Sequence, residues 1–290
     1  MEKVALDRLS PGRVLARSIF LADGRILVRK KVTLSSSIIA KLRELRFPAV
    51  YVESATDDEI KEPVSDFTRS EVIQSVARQD YAFRNGKSIN FLACREPLQK
   101  MIEEIQENRH IRLGMAEIRS LNDSIYNHMV QVCIIAVKIG IQMGYSQFKL
   151  LELALGVLFH DIGMTRISAD VLNRIGGLTS DEIAQIKTHP RTGYNLIRQN
   201  RDLPEVAAEI VLQHHERYNG SGYSQKLSGF HINEYARITA VADVFDAMLT
   251  EKPYRPAKSL EETLSYLKEQ KGAEFDPVVV DALTAAVDGE

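Results

Sequence analysis

The sequence predicts a mainly α-helical fold in which a large helical bundle follows a small α/β unit. From Asp66 onward, apolar residues recur almost throughout at the three- and four-residue spacing of amphipathic helices. Before residue 60, short apolar runs alternate with turn residues, as strands and hairpins do. The chain has 290 residues, of which 44% are hydrophobic. That length suits about one and a half to two domains with a sizeable core.

The N-terminal unit combines strand and helix signals. Val14–Phe20 and Arg25–Val28 predict two strands, because Asp23-Gly24 between them is a strong hairpin signal. The serines at 35–37 offer an N-cap for a helix whose apolar residues follow at helical spacing. Ala49–Val52 predicts a third strand. No ligand constellation or receiver-type acidic cluster is present here, so we expect a regulatory or dimerisation role.

A helical connector follows the N-terminal unit. The acidic stretch that ends at Pro63 marks a boundary. Phe67–Tyr81 and Leu98–Glu107 predict polar helices with few apolar positions, which is typical of a connector. We therefore predict three parts: an α/β unit at 1–62, a helical connector at 63–113 and a helical bundle at 114–290.

The bundle shows the clearest helical patterns. Apolar residues follow His128 at helical spacing, which predicts a long helix. Thr179 and Glu182 form a capping box, which predicts a helix running to about Thr188. Further helices are predicted at Phe148–Asp161, Pro204–His215, Ile232–Leu249, Ser259–Leu267 and Pro277–Val287.

The composition limits the compartment and the partners. The formal net charge is −2, so we do not expect the chain to coat DNA or anionic lipid. Two cysteines suit a reducing compartment and exclude a disulfide scaffold. No apolar signal segment opens the sequence, and Met129–Met143 is too short and too polar to cross a membrane. We expect a cytoplasmic protein that binds neither DNA nor a membrane.

Histidines carry the strongest chemical signal. The sequence has 7 of them, and five lie on or at the ends of predicted bundle helices: His128, His160, His189, His214 and His215. A single histidine in a helical core is usually a satisfied polar residue and nothing more. Five buried imidazoles leave many ring nitrogens to satisfy, and metal coordination satisfies them because imidazole is a common metal ligand.

Neighbouring carboxylates extend this set to two metals. Successive helix positions point about 100° apart, so His160 with Asp161, and His214 with His215, can each serve two neighbouring ions. Asp161 can bridge both ions, and Asp243 needs a cation to be buried on its apolar helix. Nitrogen and oxygen donors suit iron or manganese, although zinc also fits. Because paired ions activate water and hold phosphoryl oxygens, we predict a phosphoester hydrolase.

Two further features suit an anionic ligand. Gly220 and Gly222 flank a serine just before Tyr223, and glycines let the backbone approach a ligand closely. Lys252 and Arg255 lie three residues apart after the helix of Asp243 and can hold phosphate oxygens. A simple turn, and a basic helix end that complements the helix dipole, explain the same residues equally well.

The order of these motifs resembles one family. HDIG, KTHP, HHERYNGSGY and ARITAVADVFDAMLTEKPYR follow one another as in the HD-GYP family, a subset of the HD-domain metallohydrolases. The resemblance covers roughly Asp123 to the C-terminus, and RLSPGRVLARSIFLADGRIL resembles a short domain found ahead of such modules. It implies an HD-type helical bundle with two or three metal ions, usually iron or manganese. It also implies hydrolysis of cyclic di-GMP to pGpG or GMP.

The resemblance assigns roles to the candidate residues. The implied metal ligands are His128, His160, Asp161, His189, His214, His215 and Asp243. Asp161 would bridge the ions and position the hydroxide.

The implied substrate contacts come from the signature loop and from a basic pair. Gly220, Gly222 and Tyr223 would lie beside the substrate. Lys252 and Arg255 would contact phosphate.

Three departures from the family pattern affect these expectations. Many members carry a lysine that is thought to contact the scissile phosphate or the leaving group, and Met164 stands there, so turnover is in doubt. Members with three metals carry a carboxylate where Ser124 stands, so we expect two ions. Ser224 replaces the proline of the signature loop and Asn219 replaces its aspartate, which is expected to loosen the loop.

The functional prediction is a two-metal phosphodiesterase that hydrolyses cyclic di-GMP. One alternative is a catalytically weak module that binds metal and nucleotide as a signalling or interaction protein, which Met164 and the altered loop favour. Another keeps the chemistry but takes pGpG, cyclic GMP-AMP or another phosphodiester. A homodimer and signalling-protein partners are left open.

Overall fold

The computed structural model describes residues 2–54, 62–113, 125–172, 174, 176–198, 203–250 and 256–289. Within these ranges the protein is mainly α-helical, with short strands confined to the N-terminal part. The predicted fold class is therefore confirmed.

The N-terminal part forms an α/β unit with a small core of its own. Strand β1 (Glu2–Ala5) pairs antiparallel with β4 (Ala49–Val52), and β2 (Ile19–Phe20) pairs antiparallel with β3 (Ile26–Val28). Helix α1 (Ser36–Glu44) packs its apolar face into this core, and its start is capped by a serine side chain as predicted.

The hairpin at Gly24 forms, but its first strand is shorter than predicted. The expected strand Val14–Phe20 is divided because Leu15 bridges to Val52 of β4, whereas Ile19 pairs with a residue of β3. One stretch of chain thus serves both strand pairs, and neither pairing extends over its whole length.

Two helices follow, and both contribute to the main core. Helix α2 spans Asp66–Arg84, a 3-10 turn follows at Phe91–Cys94, and α3 spans Arg95–Glu107. Their buried apolar residues belong to the same hydrophobic cluster as those of the later helices. The boundaries at 62 and 113 stay a prediction.

The α/β unit sits directly on α2. The backbone at Gly24 is left-handed, with φ of +85°, and a side chain there would collide with Ile73 of α2. The Ser70 hydroxyl donates a hydrogen bond of 2.7 Å to the Gly24 carbonyl. The α/β unit therefore packs on α2 through its Asp-Gly hairpin.

The bundle that carries the histidines is built from nine described helices. They are α4 (Ile125–Gln142), α5 (Gln147–Val157), α6 (Ala169–Leu172), α7 (Ser180–Ile186), α8 (His189–Ile197), α9 (Glu205–Gln213), α10 (Glu234–Leu249), α11 (Leu260–Glu269) and α12 (Pro277–Asp288). The capping box of Thr179 and Glu182 forms at the start of α7, and a second one, of Ser259 and Glu262, starts α11.

Helix α4 lies at the centre of the bundle. It packs against α5, α10 and α12, and α2 and α3 cover it from the N-terminal side. It is also the one described helix with the length and apolar character of a membrane span, and 67% of that span is buried inside the bundle. Packing against these five helices accounts for its apolar surface.

A buried lysine on α4 holds the end of α3 in place. The Lys138 side chain is 2% exposed, and its ammonium group donates to the carbonyls of Arg109, at 3.3 Å, and Ile111. Burial lowers the pKa of Lys138 to about 8. The unfolded chain keeps this proton up to its ordinary pKa of about 10.4.

Lys138→Met should flatten the rise of stability with pH. Between about pH 8 and pH 10.4 the unfolded state binds more protons than the folded state, so the free energy of unfolding gains a contribution that increases with pH. Urea unfolding at pH 7.5 and pH 9.5 measures this for both proteins. The exposed Lys149→Met is the control, and an equal pH dependence in all three proteins would refute the assignment.

Candidate metal centre

Three histidines share one local arrangement at helix ends. The Nδ1–H groups of His160, His189 and His214 donate to the carbonyls three residues earlier, at 2.8, 2.8 and 2.9 Å. Such carbonyls in the last turn of a helix lack a partner within the helix. These bonds fix the tautomer, so each Nε2 presents its lone pair away from the backbone.

Five stretches of chain bring the seven predicted ligands together. His128 lies in the first turns of α4, and Asp243 lies on α10. His160 and Asp161 follow the end of α5, and His189 begins α8. His214 and His215 follow the last residue of α9. The predicted helix Phe148–Asp161 therefore ends earlier than expected, and the His-Asp pair occupies the turn.

Close packing of two glycines holds the His-Asp turn against α8. A side chain at Gly163 would lie inside contact distance of the His189 carbonyl oxygen and of the Gly193 backbone. Only glycine allows this approach, which brings the Asp161 Oδ1 atom to 3.0 Å from His189 Nε2. Gly163, the glycine of the HDIG motif, thus sets the distance between the candidate ligands Asp161 and His189.

The seven residues form two groups with metal-ligand spacing. Asp161, His189, His214 and His215 make the first group, and His128, His160 and Asp243 make the second. Within each group the ligand atoms lie within 4.8 Å of one another. His214 and His215 stay in one group, which corrects the expectation that each helix-end pair divides between two ions.

Asp161 lies between the two groups. Its Oδ1 atom is 3.0 Å from His189 Nε2 and 3.5 Å from His214 Nε2. Its Oδ2 atom is 3.7 Å from both His128 Nε2 and His160 Nε2. One carboxylate therefore turns one oxygen towards each group, which is the geometry of a bridging ligand.

Asp243 has a similar but looser position. Its Oδ1 atom is 3.1 Å from His128 Nε2, and its Oδ2 atom is 3.9 Å from His215 Nδ1. Burial alone would raise the pKa of Asp243, but its hydrogen bond with His128 and the neighbouring imidazoles hold it well below the usual range. Burial also opposes ionisation of Asp161, and the imidazoles of His160 and His189 lower its pKa strongly. Both carboxylates are therefore ionised at neutral pH.

The imidazoles divide between neutral and charged forms. Burial lowers the pKa of His160 to about 4 and holds that of His215 well below its ordinary value. Burial opposes protonation of His128 as well, but hydrogen bonds to Asp243 and Asp246 outweigh it and raise the pKa to about 9. A metal ion at His128 must therefore displace a proton.

Asp246 is a functional candidate that the sequence analysis missed. Its carboxylate is 1% exposed and accepts a hydrogen bond of 2.6 Å from His128 Nδ1. A carboxylate behind a ligating imidazole orients the ring and makes it more basic. The available signal was a second aspartate three residues after Asp243 on the same apolar helix.

The donor set fits divalent metal ions. His160 Nε2 is fully buried and has no hydrogen-bond partner among the described residues, although its lone pair faces the centre. The Nε2 atoms of His189 and His214 lie 3.2 Å apart while both Nδ1 atoms serve as donors. Two lone pairs that face each other need a cation between them. All donors are nitrogen or oxygen, whereas Cys94 and Cys133 are buried elsewhere in the core.

The signature loop packs over the first group. The Tyr223 ring stacks on His215 with ring centres 4.8 Å apart. Gly222 passes so close to the backbone of His215 and Glu216 that a side chain would not fit, and Gly220 has a φ of +82°. These three predicted loop residues therefore have defined positions beside the centre.

Glu216 fixes this loop and was also missed. Its side chain is 2% exposed and accepts backbone N–H groups from Gln225, Lys226 and Leu227 at 2.5, 3.1 and 3.1 Å. These bonds hold the segment directly after Ser224, so the loop has a defined conformation without a proline. The signal was the glutamate that directly follows the paired histidines.

Other predicted residues are placed less directly or not at all. Lys252, Arg255 and Ser124 lie outside the described residues. Met164 is half-buried in the 3-10 turn after Asp161 and brings no charge to the centre. The two remaining histidines of the chain, His110 and His231, are exposed.

An exposed cation lies at the edge of the loop. The Lys187 ammonium is 5.5 Å from the centre of the Tyr223 ring, and Lys187 precedes His189 by two residues. KTHP was singled out for its histidine, and the role of its lysine is visible only in the structure. Lys187 therefore brings positive charge to the side of the metal centre that Tyr223 covers.

Comparison with known proteins places this geometry in a family. The family model of the HD domain matches residues 103–279. The chain belongs to the HD domain family. The HD domain of this chain is therefore the part that carries the seven clustered residues.

Curated relatives support the resemblance to HD-GYP proteins. Over 63% of its length the chain is 41% identical to the cyclic di-GMP phosphodiesterase response regulator RpfG of Xanthomonas campestris pv. campestris, of which the match covers 48%. Over 80% of its length it is 31% identical to a cyclic di-GMP phosphodiesterase of Thermotoga maritima, of which the match covers 65%. The chain thus spans about half of the first relative and about two thirds of the second.

One solved structure shares the fold over nearly the whole chain. It is Bd1817, an HDG"Y"P protein from Bdellovibrio bacteriovorus, with a TM-score of 0.59 and 14% identity over 97% of each chain. At this identity the likeness shows a common fold. That fold includes the α/β unit as well as the HD domain, because the alignment extends beyond the bundle.

Asp246→Asn should weaken metal binding and reduce its pH dependence. The wild-type affinity for Mn²⁺ should rise with pH up to about 9, because His128 must lose its proton first. Without the Asp246 charge the pKa of His128 falls and the imidazole becomes a poorer ligand, so affinity at pH 8.5 should drop by about tenfold or more. Mn²⁺ titrations at pH 6.5, 7.5 and 8.5 measure both effects.

The exposed Asp281→Asn is the matched control for this titration. Asp281 pairs with Lys271 at the surface of α12, far in sequence from every candidate ligand. Wild-type affinity and slope in Asp246→Asn would contradict the assigned role of Asp246.

Proposed function

We propose that this chain is a metal-dependent phosphodiesterase that hydrolyses cyclic di-GMP to pGpG, GMP or both. The observation that carries the proposal is the pair of ligand groups on either side of Asp161. The named activities of the two relatives supply the substrate class. We further propose two ions, iron or manganese, and a cytoplasmic location.

The proposed ligand assignment follows the two groups. Asp161, His189, His214 and His215 would hold one ion, and His128, His160 and Asp243 would hold the other, with Asp161 common to both. When bound, such ions lower the pKa of water and neutralise phosphate charge. Asp161 and Asp243 would fix the position of one group relative to the other, because each carboxylate faces imidazoles of both groups.

The remaining residues would bind and orient the dinucleotide. Tyr223 stacks on His215 and presents an aromatic wall at the centre, to which a guanine base or a ribose can pack. Gly220 and Gly222 let the loop pass close to the substrate, and Lys252 and Arg255 would contact phosphate. We add Lys187, whose ammonium lies over Tyr223.

A second candidate function is a module that binds the nucleotide and turns it over slowly. The observation in its favour is the half-buried Met164, which offers no charge beside Asp161 where a cation would assist the leaving group. Such a module would act as a signalling or interaction protein. The two functions share the metal centre and differ in turnover.

The deciding experiment is anaerobic purification with metal analysis, followed by turnover of cyclic di-GMP resolved by chromatography. About two ions per chain together with pGpG or GMP would support the enzyme. The same metal content with binding but no product would support the slow module. Product from 3′3′-cyclic GMP-AMP and none from cyclic di-GMP would change the substrate and keep the chemistry.

Asp161→Ala should remove both activity and tight metal binding. Loss of an oxygen that faces each group should weaken Mn²⁺ affinity and hydrolysis by about a hundredfold or more, since even residues behind the ligands contribute ten- to a hundredfold. Metal analysis and turnover measure the effect. A fully metal-loaded, active Asp161→Ala protein would refute the bridging assignment.

Lys187→Met should raise KM several-fold and leave metal content unchanged. The ammonium lies beside Tyr223 and contacts none of the seven proposed ligands, so its loss should affect the anionic substrate alone. Lys187→Arg keeps the charge and should retain most of the affinity. Equal KM values in wild type and Lys187→Met, or loss of metal from the variant, would exclude this role.

A further inference from the structure

A buried carboxylate outside the region matched by the HD domain lies behind the metal centre. Asp80 is on α2, ahead of the matched residues 103–279, and its side chain is 1% exposed. A buried charge of this kind is costly unless every acceptor position is used. Its partners therefore show what it holds in place.

Both oxygens of Asp80 accept two hydrogen bonds. Oδ2 accepts from Arg84 Nε at 2.6 Å and from the Tyr126 hydroxyl at 2.7 Å. Oδ1 accepts from the Thr165 hydroxyl at 3.0 Å and from Arg166 Nη2 at 3.2 Å. These four donors surround the carboxylate, and two of them carry a full charge. The Thr165 hydroxyl shares its single proton between Asp80 and the Ile162 carbonyl, which lies 2.7 Å away.

Three of these donors lie on two segments that carry candidate ligands, whereas Arg84 is on α2 itself. Tyr126 is in the first turn of α4, two residues before His128. Thr165 and Arg166 belong to the 3-10 turn that begins directly after Asp161. Asp80 thus joins the segment of His128 to the segment of Asp161 from outside the centre.

Further contacts make the junction rigid. Arg84 Nη2 donates to the Thr165 carbonyl at 3.3 Å, and the Thr165 hydroxyl also lies 2.7 Å from the carbonyl of Ile162, the neighbour of Asp161. The Arg166 guanidinium lies 4.8 Å from the centre of the Phe83 ring on α2. Helix α2 therefore contacts the turn through three of its side chains: Asp80, Phe83 and Arg84.

We propose that Asp80 is a positioning residue for the metal centre, which sets where His128 lies relative to His160 and Asp161 and so the geometry of the second group and of the Asp161 bridge. The inference rests on the proposed metal centre. Asp161 Oδ2 faces His128 Nε2 at 3.7 Å, so a small movement of either segment changes how both serve the ions. Asp80 itself contacts none of the seven ligands and acts through Tyr126, Thr165 and Arg166.

Asp80→Asn changes this junction without changing its size. An amide group presents donors where one oxygen now accepts two bonds, so one pair of partners loses its acceptor. Tyr126→Phe is milder and removes the single hydroxyl next to the segment of His128. Thr165→Val removes the hydroxyl next to the segment of Asp161. The three variants separate the two arms of the junction.

Mn²⁺ binding to the full-length protein tests the proposal. Asp80→Asn should weaken Mn²⁺ affinity by about tenfold, the lower end of the range for residues behind metal ligands, and Tyr126→Phe and Thr165→Val should weaken it less. The electron paramagnetic resonance spectrum of bound Mn²⁺ pairs should change, because it depends on their spacing. Thermal unfolding of the metal-free proteins measures separately how much each substitution destabilises the fold.

Glu71→Gln is the matched control for these variants. Glu71 is also an acid on α2, and it forms a partly exposed ion pair with Lys100 of α3 at 2.9 Å, so its substitution removes a carboxylate and an inter-helix contact from the same helix. It should keep the wild-type Mn²⁺ affinity and spectrum. An equal loss of affinity in Glu71→Gln would reduce the Asp80 effect to general destabilisation and overturn the proposal.

The remaining outcomes are equally decisive. Wild-type affinity and spectrum in folded Asp80→Asn would overturn the inference, and if that variant fails to fold, the same result in Tyr126→Phe and Thr165→Val would do so. Wild-type protein that binds Mn²⁺ pairs but cleaves no dinucleotide would contradict the proposed function alone. Wild-type protein that binds neither Mn²⁺ nor Fe²⁺ would overturn both.

Discussion

The structure depends on the burial of two carboxylates among five imidazoles. Asp161 and Asp243 are ionised in a water-poor interior, and each is stable there only because imidazoles surround it. The imidazoles in turn need fixed partners for their second nitrogens, which helix-end carbonyls and Asp246 supply. The carbonyls at the ends of α5, α7 and α9 thus hold three of the imidazoles in fixed orientations.

Packing around the centre also keeps these carboxylates and imidazoles in position. The contact of Gly163 with the start of α8 brings two ligand segments together, and Glu216 holds the loop that covers His215. Asp80 extends the arrangement to α2, which also seats the N-terminal α/β unit through Gly24. The centre is therefore supported from outside the HD domain as well as from within it.

Much of the fold was predictable because it follows local rules. Helix periods, the Asp-Gly hairpin and the capping box at Thr179 all reflect interactions between residues close in sequence. The seven clustered residues were predictable as a set, because buried histidines on apolar helices need hydrogen-bond partners or a metal ion. Their grouping was not, since it depends on which segments pack around each side chain and not on the spacing along one helix.

The missed residues have a common physical reason. Asp246, Glu216 and Asp80 are single acidic residues whose partners lie on other segments, so only tertiary contacts distinguish them from surface charges. Lys187 reaches Tyr223 across 36 positions of sequence. Lys187, Glu216 and Asp246 each stand within or beside a recognised motif, whereas Asp80 lies in the predicted connector.

The helix endings at the centre have an electrostatic consequence. Helices α5, α7 and α9 terminate there and α8 begins there, so three negative helix ends and one positive helix end lie beside Asp161 and Asp243. The excess of negative helix ends favours cations at the centre and disfavours phosphate groups. Bound metal ions would offset that effect and make the same region more favourable for phosphate.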